Sequence, residues 1–543
     1  MRVKSRAMTV ASISAVALFA TACGGSDDSG DSGGGTGGEI IAKGCEPENP
    51  LIGGNTGESC GHDIVELFTS TLFRYDPETS EPIADLAESV ETEDNQNFTV
   101  KIKEGVKFHD DTEVKAKNFV DAWNYTANSE NAQYLAYFFE PIEGYEDVTA
   151  EEEGAKPAKS EMSGLEVVDD YTFTIKTSEP VSNLPIRLGY TAFAPQPDSF
   201  FEDPEEFAKN PVGAGPYQLT EWSSGQQAVL EKFADYGGGA AKGNLDKITF
   251  RIYDDEEAAY NDLLAGNLDT LDNLPASALV DQQYRTDLGD RWAQEEYPAI
   301  QTVTFAPADV DPKYDDTKLR QAVSMAIDRE KIITDHFDGA REPATGWVAP
   351  GVEGFKEGAC GEYCEFNPEE AKKLLDEAGG FEGRMTISYN ADSDHKPWVT
   401  ATCNSIREAL DVDCVAQPVT TFAQFREQIG DEEMKGMFRS GWIADYPHIE
   451  NFLTPLYATD GSSNDGNYSN KEFESTLEEA AQAEGDESLA LYQEAEAMLA
   501  GEDFPAIPMW YYTATIGWSE NVSNVKVSQA SGRPDLLNAT ANN

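Results

Sequence analysis

Histidine is scarce in this chain: His62, His109, His336, His395 and His448 are the only five in 543 residues, and none stands near another. That scatter argues against a His-rich catalytic or nickel site. There is no Gly-x-Ser-x-Gly, no His-Glu-x-x-His and no phosphate loop, so the usual hydrolase and nucleotide-binding signatures are missing. Acidic pairs of glycosidase type occur by chance in so acidic a chain and single out no site. Positive charge is also short. Lys and Arg number 39 against 100 Asp and Glu, a formal charge of -61. Such a body repels nucleic acid and anionic membranes, and attracts cations only within a Debye length of roughly 8–10 Å. The same excess of acid also fits solubility in a salty habitat. Long apolar runs are absent: Val10–Ala20 spans 11 residues where a membrane helix needs roughly 20. Cysteines are few and odd in number, at seven.

What is present begins at the N-terminus. Arg2, Lys4 and Arg6 precede the apolar stretch, and Thr21-Ala22 precede Cys23. Residues 1–22 read as a secretory signal with small residues before its cleavage point. Leu18-Phe19 followed by small residues and Cys23 resembles the lipobox of bacterial lipoproteins. The resemblance implies that Cys23 is lipidated, becomes the mature N-terminus and holds the protein at the outer face of a membrane. Loss of three basic residues with the leader takes the charge from -61 to -64. Residues 23–38, nearly all Gly, Ser and Asp, cannot bury enough apolar surface to fold and read as a flexible tether.

Past the tether, strand-like and helix-like segments alternate, which makes the body α/β. Phe98–Lys103, Tyr171–Lys176 and Lys247–Tyr253 alternate with period two and read as strands. Lys115–Thr126, Asp63–Leu72, Thr317–Ile333, Asn367–Ala378, Lys471–Ala483 and Asp486–Leu499 read as helices. The charged run 150–159 reads as a solvated surface loop. With Cys23 set aside, Cys45, Cys60, Cys360, Cys364, Cys403 and Cys414 remain, and an oxidising compartment favours pairing them. Six cysteines allow 15 connectivities; proximity favours Cys45–Cys60, Cys360–Cys364 and Cys403–Cys414. Cys360 and Cys364 are also spaced like zinc ligands, but no second close pair follows, so no metal or other cofactor is expected.

Four segments together resemble the family 5 extracellular solute-binding proteins, the peptide-binding components of ABC importers. They are Phe98-Thr-Val-Lys-Ile-Lys-Glu-Gly-Val-Lys-Phe-His-Asp-Asp-Thr112, Asn210-Pro-Val-Gly-Ala-Gly-Pro-Tyr217 with Trp222, Leu319-Arg-Gln-Ala-Val-Ser-Met-Ala-Ile-Asp-Arg-Glu-Lys-Ile332, and Arg439-Ser-Gly-Trp-Ile-Ala-Asp-Tyr-Pro447 with Asn451-Phe-Leu453. Asp111 stands where the family usually has Gly. The resemblance implies a class II periplasmic-binding-protein-like fold, two lobes with a hinge plus an inserted extra domain. Domain I would comprise 39–72, 195–300 and 505–543, domain II 73–194, and domain III 301–504. Gln301–Pro307 and Phe504–Tyr511 are the hinge candidates.

A binder that ignores side-chain identity must grip what all peptides share: an α-ammonium, a carboxylate and a row of backbone N–H and C=O groups. By the resemblance, Asp445 pairs with the ammonium, while Gly441, Trp442 and Ile443 pair with ligand backbone. Arg439 serves the carboxylate of peptides of certain lengths. Trp442, Tyr446 and Phe422 line side-chain pockets, and Glu58 and Ser59 stand on the opposite wall, stiffened by a Cys45–Cys60 bridge. The implied partners are a peptide ligand, a membrane permease with its ATPase subunits, and the membrane through the lipid. Nucleic acid is not a partner, and a monomer is expected. An oligosaccharide or other solute is the alternative cargo, and a secreted hydrolase a remote one.

Overall fold

The computed structural model describes residues 37–150, 155–391, 393, 395–459 and 461–542. The signal sequence, Cys23 and the tether up to residue 36 lie outside the described residues, as does part of the 150–159 run. Among the described residues, no helix is long and apolar enough to cross a membrane.

An 11-stranded mixed sheet runs through the molecule. Its order is Asp413–Val419, Arg384–Asn390, Met437–Ile443, Trp292–Phe305, Ala506–Trp518, Thr270–Leu271, Glu39–Gly44, Lys247–Ile252, Gln227–Lys232 and Tyr217–Ser223. Arg341–Pro343 pairs separately with Ala506–Trp518. The two long central strands, of 14 and 13 residues, are antiparallel and tie the halves together. Their register breaks between Glu296 and Ile300, a stretch that contains Pro298. A proline has no N–H for the ladder, so a bulge is where one fits. The segments 301–305 and 506–511 of the two hinge candidates lie in these strands.

Apolar side chains gather into separate cores. One holds residues of 300–511, among them Trp347, Trp398 and Trp510. A second holds residues 72–214 and one outsider, Tyr446. A third joins the first strand and first helix to residues 217–250 and 514–541. In the second core, Asn97–Ile102 turns Phe98, Val100 and Ile102 inward, the period-two pattern of its sequence. It belongs to a four-stranded sheet ordered Ala87–Thr92, Asn97–Ile102, Thr172–Lys176, Leu165–Asp169. Helix Ala116–Ala127 covers that sheet with Phe119 and Trp123, one turn apart, against Phe173 at ring distances of 5.6 and 5.4 Å. Asp111 has φ +68°. That left-handed turn favours Gly, and Asp is one of the few residues that tolerates it.

Two helix expectations need correction. The single helix over 317–333 is two, Thr317–Met325 and Arg329–Phe337. The apolar spacing continues across the break, but Asp328 caps a new helix, accepting from Lys331 N at 3.0 Å. Arg329 then turns inward, 3% exposed, and donates to the Pro508, Ser324 and Cys364 carbonyls. The helix over 63–72 instead runs Ser59–Phe68, because Glu58 caps it by accepting from Gly61 N at 2.9 Å. Cys45–Cys60, Cys360–Cys364 and Cys403–Cys414 are disulfides.

Candidate functional site

The strand Met437–Ile443 pairs antiparallel with Ala299–Phe305, which sets Gly441 opposite Gln301. A Cβ at 441 would stand 2.8 Å from the Ile300 carbonyl oxygen, so only glycine fits this approach. The chain leaves the strand with Ala444 N bonded to Pro298 O at 2.9 Å. Asn451, 1% exposed, then organises the turn. Its Oδ1 accepts from Asp445 N at 2.8 Å and Trp442 Nε1 at 2.9 Å, and its Nδ2 donates to Asp445 Oδ2 at 3.1 Å.

Asp445 is thereby fixed with its carboxylate in a poorly solvated place. Burial pushes its pKa up to about 6; the Asn451 amide and the Tyr190 and Tyr137 hydroxyls work the other way, and Glu450 adds repulsion. Among the described residues, no Lys or Arg forms an ion pair with it. Asp445 and Ile443 line a cavity of about 120 Å³ whose other wall includes Gly57, Ser59 and Tyr190. A larger cavity of about 390 Å³ shares Asp63, Glu66 and Arg533 with it. His62 stacks on Tyr190 at 5.2 Å, and burial lowers its pKa, so it stands there neutral.

The other sequence candidates fall in different places. Glu58 is the cap of the first helix, with Oε1 taken by Glu48 N and Oε2 by Gly61 N; burial pushes its pKa up to about 7. Arg439 donates to Asn390 Oδ1 at 2.8 and 2.5 Å and lies 4.9 Å from the Phe422 ring centre and 5.1 Å from that of Phe425. Tyr446 is buried in the 72–214 core with its hydroxyl on Glu450. Trp442 is half-buried beside Asn451, and Ile443 is exposed. Nearby, Arg426 pairs with both oxygens of Asp465 at 2.6 and 2.9 Å. Sequence reading gave no role to Tyr137 and Tyr190, which come from a segment some 250–300 residues away. Asn451 was visible in the fourth motif, though nothing in the sequence said what its amide would hold.

Residues 81–464 match the family model described as bacterial extracellular solute-binding proteins, family 5 Middle. The chain is 28% identical over 448 residues to the periplasmic oligopeptide-binding protein OppA of Escherichia coli K12, covering 79% of each. The solved murein tripeptide binding protein MppA of Escherichia coli superposes with a TM-score of 0.80 at 21% identity, over 94% of this chain and 99% of that one. The unliganded open form of MppA gives 0.72 at 22% identity, over 94% and 98%. The fold is thus the two-lobed one of these binding proteins.

Proposed function

This chain belongs to the family 5 extracellular solute-binding proteins, and we propose that it captures peptides by their free N-terminus between two lobes and hands them to an ABC permease. Asp445 carries this reading. A carboxylate with a pKa raised to about 6 and, among the described residues, no ion-pair partner is costly to keep ionised, and a ligand α-ammonium offsets that cost. Blocked peptides bring no such charge. Gly441 and Ile443 offer strand backbone for an extended ligand, and waters in the adjoining cavity adapt to different side chains. In this reading domains I (39–72, 195–300, 505–543) and III (301–504) close about the two central strands, with domain II (73–194) moving alongside. The body works as a monomer outside the cytoplasm, held to the membrane by a lipid on Cys23. It binds without catalysing a reaction.

The test is native mass spectrometry of the body from Glu39 onward, before and after mild denaturation and refolding. Peptides that co-purify and are lost on refolding support the reading and give their length. A refolded body that binds oligosaccharide but no peptide with a free N-terminus overturns it.

A further inference from the structure

Five residues beyond Asp445, a buried ion pair joins distant parts of the chain. Glu450 is 3% exposed. Its Oε2 lies 3.1 Å from Arg187 Nη2 and accepts from Asn183 Nδ2 at 3.3 Å and from the Tyr446 hydroxyl. Arg187 Nε donates to Asn183 Oδ1 at 3.1 Å, and its guanidinium sits 5.4 Å from the Tyr446 ring centre. Asn183 Nδ2 also lies 3.3 Å from His448 Nδ1. Two further bonds extend the seam: Ser182 N to Ala481 O, and Asn95 Nδ2 to Glu484 Oε1, each 3.0 Å.

The chemistry turns on which negative charge is left over. Asp445 and Glu450 are like charges close enough to repel. Burial pushes Glu450 up, but Arg187 and the Tyr446 hydroxyl hold its carboxyl below the usual range, so it is ionised and paired. His448 is driven down to about 4 by burial and adds no charge at neutral pH. Around Arg187 stand also Tyr492 and Glu140; around Asp445 stand the hydroxyls of Tyr137, Tyr190, Tyr134 and Tyr75, and His62, Asp63, Glu66, Arg74 and Arg533 line the same cavity. Arg187 is the cation that cancels Glu450.

We propose that Arg187 is a positioning residue for the ammonium site: it neutralises Glu450, so that Glu450 adds no net charge beside the Asp445 carboxylate that meets the N-terminus of a ligand. The inference rests on the peptide-binding reading of Asp445.

Two single substitutions should move the site in opposite directions. Arg187→Met leaves Glu450 unmatched beside Asp445. Glu450→Gln leaves Arg187 unmatched and stabilises the Asp445 carboxylate. Binding of Ala-Ala-Ala, followed by calorimetry between about pH 5 and 8, is expected to lose half its strength at a higher pH in Arg187→Met and at a lower pH in Glu450→Gln. Each midpoint should move by a few tenths of a pH unit, roughly a twofold change in protonation ratio. Arg187→Lys should restore most of the wild-type profile. The double variant Arg187→Met/Glu450→Gln, which buries no lone charge and is the safest to fold, should return to the wild-type midpoint. Weaker binding with an unmoved midpoint in the single variants, or a double variant that stays displaced, overturns the proposal and makes the pair a structural contact. Should Arg187→Met fail to fold, Glu450→Gln and the double variant decide by the same criteria. Wild-type protein that binds Ala-Ala-Ala at no pH defeats the peptide reading itself, and this inference with it.

Discussion

Asp445 trades stability for binding, and the sign of the trade can be worked out. Its folded pKa, about 6, lies above the ordinary 3.8. The folded state therefore prefers the protonated acid, and the cost of ionising it is fully present above about pH 6 and gone below pH 4. A pKa raised that far corresponds to roughly 3 kcal/mol, and partial exposure of the side chain discounts this to on the order of 2. Asp445→Asn should thus raise the melting temperature of ligand-free protein at pH 7 while abolishing affinity for a free-N-terminus tripeptide. Thermal melts with and without tripeptide read both effects; a variant that loses stability and keeps affinity would refute the assignment. In the wild type, peptide binding should fade as pH falls through about 6, because protonation removes the partner of the ammonium. Gly441 offers a second test at this scale. Gly441→Ala places a methyl 2.8 Å from the Ile300 carbonyl and should cost about 1–3 kcal/mol in urea unfolding.

Among the elements, the first helix shows most directly how a local cap serves the site. Glu58 and the Cys45–Cys60 bridge fix the start of Ser59–Phe68, and Ser59 faces the Asp445 cavity from that first turn. Opening a 15-residue loop costs about 3 kcal/mol in the chain-entropy model. Cys45→Ala/Cys60→Ala should lower stability and weaken peptide binding several-fold. Cys403→Ala/Cys414→Ala, whose bridge lies in the 300–511 core, should lower stability alone. Calorimetry on both variants separates these outcomes. The same helix marks the limit of what sequence shows. Period-two strands such as Asn97–Ile102 were legible because burial on one face writes itself into the spacing. The helix start was not, because the cap is a Glu, an uncommon choice beside Ser, Thr, Asp and Asn. The break at Asp328 was hidden because the apolar period runs through it. Asp445 and Gly441 could be read from one short motif, whereas Tyr137, Tyr190 and Arg187 act only through tertiary approach, which no local pattern encodes.

At the scale of the whole molecule, the pH dependence of stability and that of binding should part company. Among the described residues, six poorly solvated carboxyls are pushed up by burial: Glu58 and Glu496 to about 7, Asp63 and Asp445 to about 6, and Glu256 and Asp535 also upward. Glu496 holds the Trp347 and Val348 amides through Oε1 at 2.9 and 3.0 Å, so it is tied into the 300–511 core. Each folded pKa lies above its unfolded value, so the native state takes up protons first as pH falls, and stability rises through that window. The formal charge of -61 acts in the same direction, since every proton bound relieves self-repulsion. The buried histidines His62, His109 and His448, pushed below their ordinary range by burial, oppose the trend from about pH 6.5 downward; Glu450 and Asp272, whose carboxyls are held below the ordinary range by Arg187 and by Lys43 with Arg533, add to that opposition only once pH drops below about 4.5. Ligand-free protein should therefore melt highest between about pH 5 and 6, in a range where peptide affinity is already falling. Salt of about 1 M, which shortens the Debye length to roughly 3 Å, should raise the melting temperature at pH 8 more than at pH 5, because more unscreened charge remains there to be relieved. Melting scans over pH 4–8 at low and high salt check both slopes. A melting temperature that falls steadily from pH 8 to about 6.5, above the range in which the buried histidines take on charge, would mean that Glu58 and Glu496 are ionised and paired after all.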